Sequence, residues 1–233
     1  MKTEPVTFIT WLWQGWRAIY DPRHVNRLYA QMKRHMSGDW RLVCVTDTPL
    51  FIDCETYPLW PMPEAHIPPS AKGPRPNCYV RLRLFDPDFA PELGNLRVSI
   101  DLDTTVYRDL APLITPDPFK ITRNEVPQSS KYCGTLWQLR RGAHPEVWRQ
   151  YDPVETPKLT YDTLGLHGSD QTWISHLLPN VPTWGPADGV YWNKRTRADK
   201  VPPNARMVYF AGSIKPWDQE CQLKMPALYT PLP

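Results

Sequence analysis

The first 45 residues carry the feature that most constrains the fold, two β-rich apolar runs separated by one amphipathic segment. Residues 6–13 (VTFITWLW) and 41–45 (RLVCV) are rich in β-branched and aromatic side chains, which predicts two strands. Residues 21–36 place apolar side chains on one helical face, with Asp21 as N-cap and Pro22 at the first helical position. A strand–helix–strand order predicts parallel strands joined by a right-handed crossover. We therefore expect an α/β protein.

The rest of the chain continues this mixture of strands and helices. Further strands are predicted at 96–100, 119–123, 134–139 and 205–210, and further helices at 78–85, 145–151 and 170–178. Residues 58–76 contain seven prolines, which exclude a helix or a central strand and predict a long surface loop. We find no internal repeat and no flexible linker, so a single domain is expected.

Charge and cysteine content exclude several classes of protein. The formal net charge of +3 is too small to favour nucleic acid or an anionic membrane as the main partner. The five widely spaced cysteines include no CxxC pair, which argues against a disulfide framework and a zinc knuckle. The N-terminus lacks a signal-peptide pattern, and no apolar run approaches the roughly 20 residues that span a bilayer. We expect a cytoplasmic protein with no transmembrane segment.

Two aspartates, Asp101 and Asp103, follow directly after the apolar run at 96–100. In an extended segment their side chains point to the same side, at the strand end where open α/β sheets bind ligands. Two carboxylates so placed repel each other unless a cation lies nearby. Mg²⁺ and Mn²⁺ take such carboxylates together with phosphate oxygens, so the pair predicts a metal and a phosphorylated ligand. The alternative is a turn in which the aspartates bind backbone amides.

A second segment whose residues could bind a ligand is VYFAGSIKPWD at residues 208–218. The backbone N–H groups of Gly212 and Ser213 follow a predicted strand and are suited to binding an anion. Lys215 adds a positive charge of the kind that binds phosphate. A plain surface turn with a solvated lysine is the alternative interpretation.

Taken together, these segments resemble glycosyltransferases of the GT-A fold, and family 8 in particular, the glycogenin and lipopolysaccharide galactosyltransferase group. The matching pieces, in order, are YVRLRLF, RVSIDLDTTVYRDLAPL, SDQTWI and FAGSIKPW. The resemblance implies one GT-A-like α/β domain with a mostly parallel central sheet flanked by helices. Its Rossmann-like nucleotide-binding half would span 6–110, the acceptor and metal half 111–218, and a Pro-rich tail 219–233.

The resemblance also implies a nucleotide-sugar donor of the UDP-sugar type, a Mn²⁺ or Mg²⁺ ion, and transfer that retains the anomeric configuration. On this basis Asp101 would contact the ribose and the metal, and Asp103 would be a direct metal ligand. Lys215 and the Gly212 amide would hold the diphosphate. Arg81 would contact the donor or steady the acidic site.

The remaining implied roles concern the sugar, the acceptor and the nucleobase. Asp170 and Gln171 would lie near the transferred sugar and are the candidate catalytic residues. Thr10 and Trp11, near the end of the first strand, would contact the nucleobase. The acceptor is expected to be a glycan, a lipid-linked sugar or a protein rather than nucleic acid.

The sequence departs from the family pattern at one metal ligand. Family members usually supply a histidine three residues before the loop glycine, where this chain has Tyr209. A phenol with a pKa near 10 is a poor ligand for such an ion at neutral pH; His167, three residues before the Asp170–Gln171 pair, is the other candidate. A binding module that kept the pocket without the metal, and a nucleotidyltransferase acting on sugar phosphates, are the alternative functions.

Overall fold

The computed structural model describes residues 5–13, 20–61, 78–125, 130–160, 170–197 and 199–233. The strands are β1 Val6–Leu12, β2 Trp40–Thr46, β3 Glu55–Pro58, β4 Leu96–Ile100, β5 Thr104–Val106, β6 Phe119–Arg123, β7 Tyr132–Arg140, β8 Thr183–Trp184, β9 Val190–Trp192 and β10 Met207–Tyr209. The α-helices are α1 Pro22–His35, α2 Glu146–Arg149, α3 Glu155–Lys158, α4 Asp170–Leu177 and α5 Gln219–Lys224. Residues Cys78–Phe85 form a 3-10 helix. No helix in these ranges is both long and apolar enough to cross a membrane.

The main sheet has seven strands in the order β3-β2-β1-β4-β7-β6-β8. Strands β3, β2, β1 and β4 are mutually parallel, as the strand–helix–strand pattern predicts. β7 runs antiparallel to both of its neighbours, and β8 is parallel to β6. The expected α/β class with a mostly parallel sheet is confirmed.

A second sheet of three strands, in the order β5-β10-β9, was not expected from the sequence. β5 and β9 are each three residues long, which is too short to show an alternating pattern. Three residues separate the end of β4 from the start of β5, so the chain passes from one sheet to the other across residues 101–103.

Alternate side chains of the central strands pack into two cores, one on each face of the main sheet. In β1, Ile9 and Trp11 pack in the core that includes the 3-10 helix and α4, whereas Phe8 and Leu12 pack in the core beneath α1. This burial on both faces accounts for the continuous apolar run of β1. A third, smaller core joins the second sheet to the C-terminal segment, where Leu228 is fully buried.

The start of α1 is fixed by a capping box at Asp21. The Asp21 carboxylate accepts a hydrogen bond from the Arg23 amide at 2.9 Å, and the Asp21 amide donates to His24 Nδ1 at 2.9 Å. The two bonds satisfy amide groups that the first turn of a helix otherwise leaves unpaired.

Replacing Asp21 with alanine is expected to lower the free energy of unfolding by about 1 kcal/mol, the usual cost of losing an N-cap side chain. Urea denaturation followed by circular dichroism measures the change. Asp88→Ala is the control, because Asp88 is exposed and its side chain forms no hydrogen bond with another described residue. Equal stability of the Asp21→Ala variant and the control would contradict the capping role.

Candidate active site at the turn between the two sheets

Asp101 and Asp103 lie in the turn that connects the two sheets. The Asp101 amide donates to the Thr135 carbonyl at 3.0 Å, which extends the pairing of β4 with β7 by one residue. The Asp103 carbonyl accepts from the Phe210 amide at 3.2 Å, next to the start of the second sheet. The expectation that residues 101–103 continue as an extended segment is therefore wrong, because the chain changes sheets between the two aspartates.

Both carboxylates face cationic or hydroxyl groups, and no backbone amide among the described residues is recorded as donating to either of them. Asp101 Oδ1 accepts from Arg81 Nη1 at 2.6 Å, and Asp103 Oδ2 accepts from Lys215 Nζ at 2.6 Å. The side chain of Asp101 is 33% exposed and that of Asp103 is 15% exposed. Among the described residues, the aspartates therefore do not cap the turn by binding backbone amides. Their carboxylates instead form ion pairs with Arg81 and Lys215.

Arg81 connects Asp101 to a second, deeply buried carboxylate. From the 3-10 helix its Nη2 donates to Asp170 Oδ1 at 3.0 Å, and its Nε lies 2.8 Å from Asp170 Oδ2. Asp170 is 1% exposed, and burial raises its pKa against the opposing effect of Arg81. Burial likewise raises the pKa of Asp101 to about 6, with Arg81 acting in the opposite direction and Asp103 and Asp170 adding to the rise. Arg81 is therefore shared between a partly exposed carboxylate, Asp101, and a buried one, Asp170.

Gly134 and Gln171 complete this buried corner of the site. The Gly134 amide donates to Gln171 Oε1 at 2.8 Å. A Cβ built on Gly134 would lie 3.1 Å from Arg81 Nη2 and 3.4 Å from Asp170 Oδ1. A side chain there would displace the Arg81 guanidinium by a few tenths of an ångström, so glycine favours the observed ion pair. The sequence interpretation did not single out Gly134, because its role depends on two residues that are distant along the chain.

Asp103 has a second partner that the sequence interpretation missed. Tyr20, just before α1, donates its hydroxyl to Asp103 Oδ2 at 3.2 Å. Burial raises the pKa of Tyr20 above its usual value, and the neighbouring carboxylates of Asp103 and Asp101 raise it further. The hydroxyl therefore stays protonated and remains a donor to Asp103.

The loop that carries Lys215 is tied to α1 and to the C-terminal segment. Lys215 Nζ also donates to the Phe210 carbonyl at 3.1 Å, and its amide donates to Asp218 Oδ2 at 2.8 Å. The Trp217 ring packs edge-on against the His24 ring, with 4.4 Å between ring centroids. Gly212 is exposed and has a φ of +114°, a conformation that favours glycine. Its amide thus lies in an open part of a loop that is otherwise anchored.

Arg27 positions the turn that holds the two aspartates. It is 3% exposed and donates to the carbonyls of Leu102 at 3.5 Å and Thr104 at 3.1 Å. It also donates to Thr105 Oγ1 at 2.6 Å and to Thr230 of the C-terminal segment. The sequence gives little signal for this role, because an arginine on an amphipathic helix is normally assigned to solvent.

The predicted nucleobase contacts, Thr10 and Trp11, are buried in β1. Thr10 is fully buried and Trp11 is 6% exposed. Trp11 Nε1 donates to Ser99 Oγ at 2.9 Å, and its ring packs edge-on against Trp60. Neither side chain offers an open surface in this structure, so their contact with a nucleobase stays a prediction.

The described residues offer a divalent ion two carboxylates and no third side-chain ligand. Tyr209 is 3% exposed and burial raises its pKa above the usual value, which keeps the phenol protonated. Within the described ranges no group of three or more His, Cys, Asp or Glu residues is arranged to hold a metal, and His167 lies outside those ranges. The oxygens of Asp101 and Asp103 fit Mg²⁺ or Mn²⁺ provided that phosphate and water supply the other ligands.

No protein-family model matches the chain, and no curated protein matches it in sequence. Solved structures do match, among them the galactosyltransferase LgtC in complex with donor and acceptor sugar analogues. That match has a TM-score of 0.57 and 11% identity, and covers 93% of this chain and 91% of LgtC. The glycosyltransferase GlyE of Streptococcus pneumoniae TIGR4 matches with a TM-score of 0.57 and 14% identity over 93% of this chain and 57% of GlyE.

The bifunctional glycosyltransferase WbbM matches with a TM-score of 0.59 and 11% identity, over 94% of this chain and 48% of WbbM. At these identities the likeness establishes the fold. The chain has the fold of these glycosyltransferases, and the fold class implied by the family resemblance is confirmed.

Proposed function

We propose that this protein is a glycosyltransferase that moves a sugar from a nucleotide-sugar donor, a UDP-sugar, to a glycan, lipid-linked or protein acceptor. The observation that carries the proposal is the Asp101–Asp103 turn at the junction of the sheets, with Lys215 Nζ 2.6 Å from Asp103. A fold shared with solved glycosyltransferases supports the assignment. The five cysteines are all unpaired, which suits the reducing cytosol that we propose as its location.

We further propose that Asp101 and Asp103 hold Mn²⁺ or Mg²⁺ beside the donor diphosphate. A bound divalent ion supplies charge neutralisation for the departing diphosphate. In the structure described here, Lys215 neutralises Asp103. When a diphosphate enters, Lys215 gains a new anionic partner, and the Asp103 oxygens become available to the ion. Nucleotide and metal are therefore expected to favour each other's binding.

In the proposed reaction, the bond between the sugar C1 and the diphosphate oxygen breaks, and a bond forms between C1 and the acceptor oxygen. Retention places the acceptor on the face that the leaving group vacates, where a diphosphate oxygen takes the acceptor proton. Lys215 and the Gly212 amide stabilise the negative charge on the diphosphate. Asp170 and Gln171 are assigned to the sugar side, where Arg81 and Gly134 fix their positions.

The proposal predicts that UDP and Mn²⁺ each raise the melting temperature of the protein and that each shift is larger when the other ligand is present. UDP at about 100 times its Kd stabilises by about 2.7 kcal/mol. Differential scanning fluorimetry with UDP, GDP and ADP, each with Mn²⁺ or with chelator, measures the shifts and the nucleobase preference. A panel of sugar nucleotides scored by UDP release then tests transfer.

The outcomes of this experiment separate the candidate functions. UDP release that requires Mn²⁺ supports the transferase. Nucleotide binding that is unchanged by chelator, without UDP release, would instead indicate a binding module. Such a module would not need the metal-binding histidine that Tyr209 replaces. Melting temperatures that no nucleoside diphosphate changes would contradict both.

A further inference from the structure

Among the described residues, the two cations that contact the carboxylates of the candidate site, Arg81 and Lys215, are already paired. The carboxylates of Asp101, Asp103 and Asp170 outnumber the cations that contact them, Arg81 and Lys215. Arg81 is shared between Asp101 and Asp170, and Lys215 is held by Asp103. An incoming diphosphate adds further negative charge, which like-charged carboxylates disfavour. Besides the divalent ion proposed above, a further cationic side chain next to the loop would therefore favour its binding.

Lys194 is placed to supply part of this charge. It lies in the 3-10 turn Asn193–Arg195 that follows β9, beside the loop that leaves β10. Its Nζ lies 3.8 Å, and its Cε 3.9 Å, from the position that a Cβ would take on Gly212. The lysine thus flanks the exposed glycine whose amide is assigned to the diphosphate.

Lys194 is also available, unlike Arg81 and Lys215. It is exposed, and across the described part of the chain no carboxylate is recorded within ion-pair distance of it. Its recorded contact is with the Trp192 ring, whose centroid lies 5.3 Å from Nζ. The ring contact orients the side chain beside Gly212 without neutralising its charge.

We propose that Lys194, beside Gly212, is a diphosphate-binding residue that acts together with Lys215 of the same loop. The inference rests on the proposed function, since it assumes that the ligand carries a pyrophosphate group. Lys194 provides the charge that attracts the diphosphate while Lys215 is still paired with Asp103. The chemical class recognised is a pyrophosphate ester, whether free nucleoside diphosphate or nucleotide sugar.

The test is isothermal titration calorimetry of the full chain with UDP and with inorganic pyrophosphate, in the presence of Mn²⁺. Lys194→Met is expected to raise the Kd for both ligands about tenfold, the effect of one charge-assisted contact reduced by solvent exposure. Lys194→Arg should keep most of the affinity. Lys200→Met is the matched control, because Lys200 is an exposed lysine in the next turn of chain. The dependence of Kd on salt should be shallower in Lys194→Met than in the wild type.

Each outcome decides the inference. A tenfold loss in Lys194→Met, with Lys200→Met unchanged and the same unliganded melting temperature in all variants, supports it. Wild-type affinity in Lys194→Met overturns it and leaves the proposed function intact. If the wild-type protein binds neither UDP nor pyrophosphate, the proposed function and this inference both fail.

Discussion

Replacing Asp103 with asparagine is expected to lower kcat/KM for sugar transfer by about a hundredfold or more. In the proposed site the change removes one of the two carboxylates that would bind the divalent ion, and a loss of about 2.7 kcal/mol of transition-state stabilisation corresponds to a hundredfold. The rate of UDP release from one nucleotide-sugar donor, compared between variant and wild type, measures the effect. Mn²⁺ binding, followed by electron paramagnetic resonance, should weaken in parallel.

Two controls separate loss of chemistry from loss of folding in this variant. Asparagine at position 103 leaves Lys215 Nζ without its counter-charge, so some loss of stability is expected as well. The double variant Asp103→Asn, Lys215→Met removes both charges and should recover stability but not turnover. Asp88→Asn, at an exposed aspartate outside the candidate site, should keep full activity. Wild-type turnover in Asp103→Asn would remove the site assignment.

Replacing Arg81 with methionine is expected to lower the free energy of unfolding by about 3–5 kcal/mol, the range for breaking a buried ion pair. The 5% exposed arginine contacts both Asp101 and Asp170, and its loss leaves two carboxylates close together with no counter-charge. Urea denaturation measures the change. Arg197→Met is the control, since the Arg197 side chain is 79% exposed and its pairing with Asp199 is a surface contact worth less than about 1 kcal/mol.

A second substitution tests the cause of that loss. Asp170→Asn in the Arg81→Met background removes one of the two uncompensated charges and should restore part of the stability. If the double variant is no more stable than Arg81→Met, charge repulsion is not the origin of the effect, and lost packing of the long side chain is the better explanation.

The N-terminal part of the fold was predictable because local signals there agree with the tertiary structure. The helix expected at 21–36 is observed as Pro22–His35, since Asp21 caps it and Val25, Leu28 and Met32 fall on its buried face. The parallel pairing of β1 with β2 followed from the same order of elements. Of the second sheet only β10 was anticipated, within the strand predicted at 205–210. β5 and β9 were not, because strands of three residues carry no period and depend on partners far along the chain.

The candidate site was predictable only in part, for a similar reason. Asp101, Asp103 and Lys215 stand in short motifs, and the structure brings Asp103 and Lys215 into contact. Tyr20 and Arg27 have no motif, since their partners are separated from them by more than seventy residues. The extended geometry assumed for Asp101 and Asp103 was wrong because tertiary pairing, not local preference, decides where the chain turns.

The change of sheet between Asp101 and Asp103 limits how this chemistry can be transplanted. A designer who copies the short acidic motif onto the end of a strand in another scaffold would reproduce the strand that precedes Asp101. The second sheet, beside which the Phe210 amide binds the Asp103 carbonyl, would be missing. The spacing of the carboxylates depends on the angle between two separately packed sheets, so a functional graft has to import both of them together with the helix that holds the turn.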